Sequence, residues 1–372
     1  MSTPPFRADH VGSLLRPPAL RAAQARAKAG ELDATQLADI ENEAIRELIA
    51  LQEEVGLKAI TDGEARRDAW HLDYIYRIGG IERSADKLHV HFESPNGAID
   101  FEGAALKVRE RLSLPSTIFE EAFLFLRDNV PRGVPKLTVP SPSMVHYRGG
   151  RAAIDEAAYP GLDEFYDDLA KVYAQEIRNL GALGCTYLQL DDTSLAYLND
   201  PRQRALIASQ GGDPENQHEI YIDIINRAVA AKPDAMTITT HLCRGNFRSA
   251  WAASGSYDYV ADALFNLLDV DGYFLEFDDE RSGGFEPLRF LPRGNKRVVL
   301  GLITTKTGRL EARDTILRRI EDATKFAPLD QLCLSPQCGF SSTSDGNDIS
   351  FDEQRAKLEL VVDIAREVWD DA

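Results

Sequence analysis

Cysteine is scarce. The 372 residues hold four, Cys185, Cys243, Cys333 and Cys338. Four thiols in a chain this long make no disulfide framework and fit a cytoplasmic protein whose cysteines are free or metal-bound. Positive charge is also short: 42 Lys and Arg face 60 Asp and Glu, a formal net charge of −18. Such a surface repels phosphate backbones, so no nucleic-acid partner is expected, and the surplus acid serves solubility. No apolar run approaches the ~18 residues of a membrane span. The opening "MSTPPFRADH" lacks the charged-then-apolar plan of a secretory signal, and no membrane partner is expected. No G-x-G-x-x-G follows the first β-rich run, which argues against a dinucleotide-binding Rossmann sheet. Internal repeats and low-complexity tracts are absent as well.

What is present is a regular alternation. Short apolar or β-branched runs at 8–11, 57–61, 135–139, 186–190, 236–240, 272–277, 298–303 and 331–334 read as strands. Between them lie amphipathic stretches at 35–54, 162–183, 219–231, 260–268, 311–325 and 351–369, with apolar residues three and four apart, as in Leu169, Val172, Tyr173 and Ile177. Strand–helix alternation implies parallel βαβ units. Eight such strands predict an α/β fold of the (β/α)8 TIM-barrel class, one barrel over residues 1–372. The stretch 71–131 is too long for a crossover. It carries a strand-like "KLHVHFES" and a helix-like "STIFEEAFLFLRDN", and reads as an elaboration inserted after the second strand, a cap over one barrel end.

Barrel enzymes build their sites at the C-terminal ends of the strands. Those ends supply His10 to Ser13, then Asp62, Glu64, Arg66, Arg67 and Asp68, then Asp191 and Asp192, then His241, Cys243 and Arg244, then Glu276, and lastly Cys338. His241 and Cys243 are two apart at a strand end, so they share a face. With Glu276 and Cys338 they form a donor set suited to tetrahedral Zn2+. The plainer alternative is a satisfied core histidine and small buried thiols, and Cys185 and Cys333 are assigned to the core on that ground. A divalent ion held by two thiolates and a carboxylate keeps surplus negative charge. That charge suits it poorly to acidifying water, but lets it hold a substrate thiol as an electron-rich thiolate. A free thiol ionises near ~8.5, and metal binding lowers that value. The chemistry expected is thiol S-alkylation.

The motifs "FRADHVGSLLRP", "ITDGEARRD", "YLQLDDTSLAYL", "HLCRGNFRS", "YFLEFDDERSG" and "LSPQCGFSST" run in order along nearly the whole chain. Together they resemble the C-terminal catalytic barrel of cobalamin-independent methionine synthase, and more closely its short, single-barrel, methionine synthase II-like bacterial relatives. The resemblance implies Zn2+ on His241, Cys243, Glu276 and Cys338. It implies homocysteine held by Gly12 and Ser13, with Glu64 and Asp191 on its α-amino group. Arg66, Arg67 or Arg244 is a candidate for a substrate carboxylate, with structural ion pairs as the alternative. Asp191-Asp192 could equally be a helix N-cap, and "GEARRD" a solvated loop.

Two departures stand out. The family's tryptophan after the third strand, which packs on the folate ring, is replaced in "LTVPSPSMVHYRG" by the neighbourhood of His146 and Tyr147. Its histidine after the seventh strand gives way to Lys306 in "LITTKTG". The expectation is a zinc-dependent methyltransferase to a small thiol, homocysteine first, resembling the 5-methyltetrahydropteroyltriglutamate–homocysteine S-methyltransferases. The methyl donor is left open between a folate, a corrinoid protein and another alkyl compound. Alternatives are thiol alkylation like that of the epoxyalkane–coenzyme M transferases, a non-catalytic thiol- or metal-binding barrel, and a zinc-free metabolic barrel.

Overall fold

The computed structural model describes residues 3–94 and 97–371. In chain order the strands are β1 (Ala59–Ile60), β2 (Gly79–Phe92), β3 (Ile99–Ser113), β4 (Val134–Pro140), β5 (Tyr187–Asp192), β6 (Thr237–Leu242), β7 (Gly272–Glu276), β8 (Arg297–Ile303) and β9 (Leu332–Pro336). Seven of them form one curled parallel sheet in the order β1-β4-β5-β6-β7-β8-β9. Strands β5 and β7 are buried along their whole length. They are covered on both faces, and so read in sequence as near-continuous apolar runs. The fold is mixed α/β and TIM-barrel-like.

The remaining sector is filled by the segment around Ala8. Ala8 bridges Leu334 of β9 in parallel. On the other flank Thr61 Oγ1 donates to Gly12 O at 2.6 Å, and Leu14 N donates to Gly63 O. The expected strand at 8–11 is thus one bridge, because side chains rather than a backbone ladder tie it to β1. Its anchor is Asp9. The carboxylate accepts from Lys136 Nζ at 3.0 Å and Tyr187 OH at 2.8 Å, while Lys136 also donates to His10 O at 2.6 Å. The side chains of Asp9 and Lys136 have no solvent exposure.

Helices follow the periodicity closely. The helix Ala34–Val55 starts on a capping box in which Asp33 accepts from Gln36 N, and Ser350 with Glu353 opens Phe351–Trp369 in the same way. In Leu162–Ala182 the buried face is Phe165, Leu169, Val172, Tyr173, Ile177 and Leu180. No helix among the described residues is long and apolar enough to cross a membrane.

The 71–131 stretch holds a long antiparallel hairpin, β2 against β3, with register shifts near Gly79 and between Arg83 and Lys87. The helix Glu120–Asn129 follows it. Strand β3 escaped the sequence reading for a physical reason. Its core, "AALKVRERL", is made of good helix formers and is half-exposed along most of its length, so pairing with β2 overrides local propensity.

Lys136→Met should leave Asp9 as a buried, uncompensated carboxylate and destabilise the fold by about 3–5 kcal/mol. Adding Asp9→Asn should recover part of that loss. Chemical denaturation of the single and double variants checks the coupling.

Candidate metal centre and substrate cavity

Parallel pairing brings the strand ends to one rim. Asp191 stands opposite His241 across β5 and β6, and Glu276 ends β7. One ligand atom each from His241, Cys243, Glu276 and Cys338 lies within 4.8 Å of all the others, and all four residues are buried. The two sulfurs are 3.5 Å apart. Glu276 is fixed from both sides: Oε1 accepts from Arg244 N at 2.7 Å, and Oε2 lies 3.2 Å from Arg281 Nη2. Gly245 N donates to Cys243 Sγ at 3.3 Å.

Three observations test whether this set fits a cation. His241 Nε2 is buried with no hydrogen-bond partner, although Nδ1 lies 3.6 Å from Asp191 Oδ1. Burial lowers the imidazole pKa, but the adjacent Asp191 carboxylate and the charges on Cys338 and Glu276 outweigh it and raise the value to about 9. The two thiols are hydrogen-bonded to each other. Their mutual hydrogen bond, then burial, pushes Cys243 up, while the same hydrogen bond pulls Cys338 down. Surplus negative charge, an unpartnered imidazole nitrogen and two soft sulfurs suit a thiophilic divalent cation. Asp191 then plays the carboxylate that orients a ligating histidine. Cys185 and Cys333 are buried core thiols, raised by burial to about 12 and about 11.

A cavity of about 140 Å3 opens beside the cluster and is walled in part by His241, Cys243 and Cys338. Ser13, Glu64 and Asp191 also line it. Gly12 has φ 141°, and a Cβ there would sit 2.7 Å from Thr138 Cγ2, so only glycine lets the chain pass. Ser13 is held against the Cys338 loop, where its Oγ accepts from Ser341 N at 3.3 Å. Glu64 takes a left-handed φ of 57°, a strained geometry for a non-glycine residue. Its Oε1 accepts from Thr138 Oγ1 at 3.0 Å, and its Oε2 is buried without a hydrogen bond. Burial raises the Glu64 pKa to about 7 against the pull of Arg67, with Asp191 and Asp62 adding to the rise.

Other candidates lie elsewhere. Arg66 turns outward to Glu41 and Asn42 at 2.8 and 2.7 Å. Arg67 donates to Thr138 O and stacks on Phe119 behind Glu64. Arg244 is wholly buried over the Tyr257 ring, 4.1 Å from its centroid. None of the three lines the cavity. Asp192 caps the turn at Ser194 and Leu195, which leaves Asp191 free to face inward. His146 is locked between Tyr221 and Tyr166, and Tyr147 bonds Gln203. Met144 and Arg148, four apart on the same turn, face the cavity instead. Lys306 Nζ is buried without a hydrogen-bond partner and is not among the cavity's described lining residues. Sequence reasoning missed Trp70, His71, Met144, Arg148, Tyr197 and Phe247 in the wall. Only the helical spacing of Met144 and Arg148 could have signalled any of them.

Residues 149–367 match the family model described as the cobalamin-independent synthase, catalytic domain. The chain is 45% identical to the uncharacterized protein YxjH of Bacillus subtilis, covering 98% of this chain and 95% of that one. It is 24% identical to the Mycobacterium tuberculosis 5-methyltetrahydropteroyltriglutamate–homocysteine methyltransferase, spanning 98% of this chain but only 43% of that longer protein. Among solved structures it is similar to a Listeria monocytogenes protein whose name places it with the vitamin-B12 independent methionine synthases, at 38% identity, TM-score 0.79 and 99% coverage of both chains. The chain belongs to the cobalamin-independent methionine synthase family, in its catalytic domain.

Replacing sulfur by a harder oxygen in Cys243→Ser or Cys338→Ser should remove most bound zinc while leaving the fold intact. Asp191→Asn should weaken zinc about 10–100-fold without abolishing it. Metal analysis of purified protein, with circular dichroism as the fold control, distinguishes the two classes.

Proposed function

We propose that this protein is a zinc-dependent S-methyltransferase acting on a small thiol, homocysteine first, to give methionine. The observation that carries the proposal is the convergence of four donor atoms within 4.8 Å on a cavity that also presents Ser13, Glu64 and Asp191. When bound by His241, Cys243, Glu276 and Cys338, Zn2+ supplies the positive charge that keeps a substrate thiol ionised near neutral pH. The chain's own groups account for the rest of the amino acid. Glu64 and Asp191 present two carboxylates to an α-ammonium, and Glu64 Oε2, with no hydrogen bond and only the Arg67 Nη1 ion pair at 3.8 Å, can accept from it. Ser13, beside the Gly12 turn, faces the α-carboxylate. The 71–131 insertion acts as a cap, with Phe92 and Phe101 of the hairpin walling the cavity and excluding water. Holding both reactants in one dry cavity supplies several kcal/mol of the barrier, on the order of 7 where alignment is good.

Alkylation of a sulfonate-bearing thiol, as in the epoxyalkane–coenzyme M transferases, leaves Glu64 and Asp191 without a role. Homocysteine should therefore bind better than 2-mercaptoethanesulfonate, and the reverse order would overturn the assignment. Turnover of homocysteine to methionine, screened with methyl-folate and methyl-corrinoid donors and abolished by zinc removal, tests the function directly.

Glu64→Gln should weaken homocysteine binding and leave zinc content unchanged; equal loss of both would sink its assigned role. Glu64 also sets a pH dependence. Protonation below its pKa of about 7 removes the charge that pairs with the ammonium. The affinity for L-methionine, which has no thiol to ionise, should then fall about tenfold per pH unit below that value and flatten in Glu64→Gln.

A further inference from the structure

The carboxylates of the cavity face one cationic side chain. Arg148 is the sole Lys or Arg among the described lining residues. It makes no ion pair among the described residues, and its hydrogen bond there is from Nη2 to Tyr197 OH at 3.3 Å. The guanidinium lies over aromatic rings, its Cζ 5.0 Å from the Tyr197 centroid and 5.5 Å from that of Tyr147. His71 lines the same cavity with a buried Nδ1 that has no partner. Burial, then the charge of Arg148, lowers its pKa to about 3, so the ring is neutral. Much of the remaining wall is carbon, from Trp70, Leu88, Phe92, Phe101 and Phe247. Arg148 is half-buried, so its unpaired guanidinium is open to an arriving anion.

Position separates Arg148 from the acidic wall. Arg148 and Leu88 also line an adjoining groove of about 330 Å3, which Glu64 and Asp191 do not reach. An anion on Arg148 therefore sits outward of an amino acid held by those carboxylates. We propose that Arg148 binds the anionic group of the second reactant, a compound with an apolar or aromatic body and one carboxylate-like charge, with His71 as a neutral hydrogen-bond partner. This rests on the methyltransferase reading only in supposing a second reactant beside the thiol. A single planar guanidinium matches one carboxylate through two parallel hydrogen bonds. The aromatic wall matches a flat apolar body. A polyanionic body would meet Glu64 and Asp191 inside, and a surface of net charge −18 outside.

The test uses the zinc-loaded full chain, with benzoate as probe, benzamide as its neutral isostere and homocysteine in separate calorimetric titrations. Wild type should bind benzoate about tenfold or more tighter than benzamide, as a charge-assisted pair requires. Arg148→Met should erase that preference, Arg148→Lys should keep part of it, and both should leave homocysteine affinity in place. The His71 ring nitrogen resonances should shift with benzoate in wild type and not in Arg148→Met. The proposal is overturned if wild type shows no preference for benzoate, or if Arg148→Met keeps it. It also fails if Arg148→Met weakens homocysteine as much as benzoate, which would put the thiol's own carboxylate on this arginine. Cys243→Ser separates the two readings. It should lower homocysteine affinity and spare benzoate; homocysteine binding untouched by that change would remove the methyltransferase reading while the Arg148 site stood.

Discussion

The buried pair of Asp9 and Lys136 is the constraint on which the site's geometry depends. Seven strands leave the sheet open, and the segment that fills the gap has too few backbone bonds to hold itself there. A carboxylate and an ammonium with no solvent exposure, tied also to Tyr187 and the His10 carbonyl, fix it instead. Immediately beyond come Val11 and Ser13, part of one wall of the cavity. Across that wall Arg16 donates to Ser341, to the Glu64 carbonyl and to the Arg67 carbonyl, joining three loops at one point. Gly339 completes the contact, since a Cβ there would lie 1.9 Å from Ser13 Oγ. Closure of the ring and the shape of the thiol side of the cavity are thus one problem, solved by polar contacts where strand pairing is thin.

The same rim concentrates negative charge. Glu64, Asp191, Glu276 and the two cysteines converge, while Arg67 and Arg281 stand behind the carboxylates. Left to themselves, these neighbours push the pKa values of His241 and Cys243 up. A divalent cation on the four donors would relieve that charge at one end, and an ammonium beside Glu64 would relieve it at the other. The two sites are coupled through Asp191, which faces the cavity and lies 3.6 Å from His241 Nδ1. Binding at either end changes the field felt at the other.

Much of this was legible in the sequence because parallel barrels encode themselves locally. Each barrel strand is an apolar run, each helix has a three-to-four period, and each site residue lies at the end of a run or within a few places past it. That logic picked out His241, Cys243, Glu276 and Cys338 without knowledge of their separation. It stumbled where side-chain direction matters more than position. Glu64, Arg66 and Arg67 fall within four residues of one loop, yet Glu64, at a positive φ, lines the cavity while Arg66 goes to Glu41 and Arg67 to Phe119. Asp191 and Asp192 divide in the same way, one facing the cavity and one capping a turn. Strand β3 was hidden because its residues favour helix and only its partner makes it a strand.

The cavity divides along the same line as legibility. Its acidic wall and metal ligands come from strand ends and the loops just beyond them, where a rigid scaffold holds donor atoms to fractions of an ångström. Its outer wall comes from the hairpin, from Trp70 and His71 at the insertion's start, and from the turn carrying Met144 and Arg148. Loops and insertions tolerate change because the barrel does not need them to close. In this chain that outer wall presents Arg148 over the rings of Tyr147 and Tyr197. A chemistry that depends on an electron-rich sulfur can keep its thiol half constant while the other half is rebuilt for a different alkyl donor. The turn carrying Met144 and Arg148 lies in the half where such rebuilding leaves the donor cluster undisturbed.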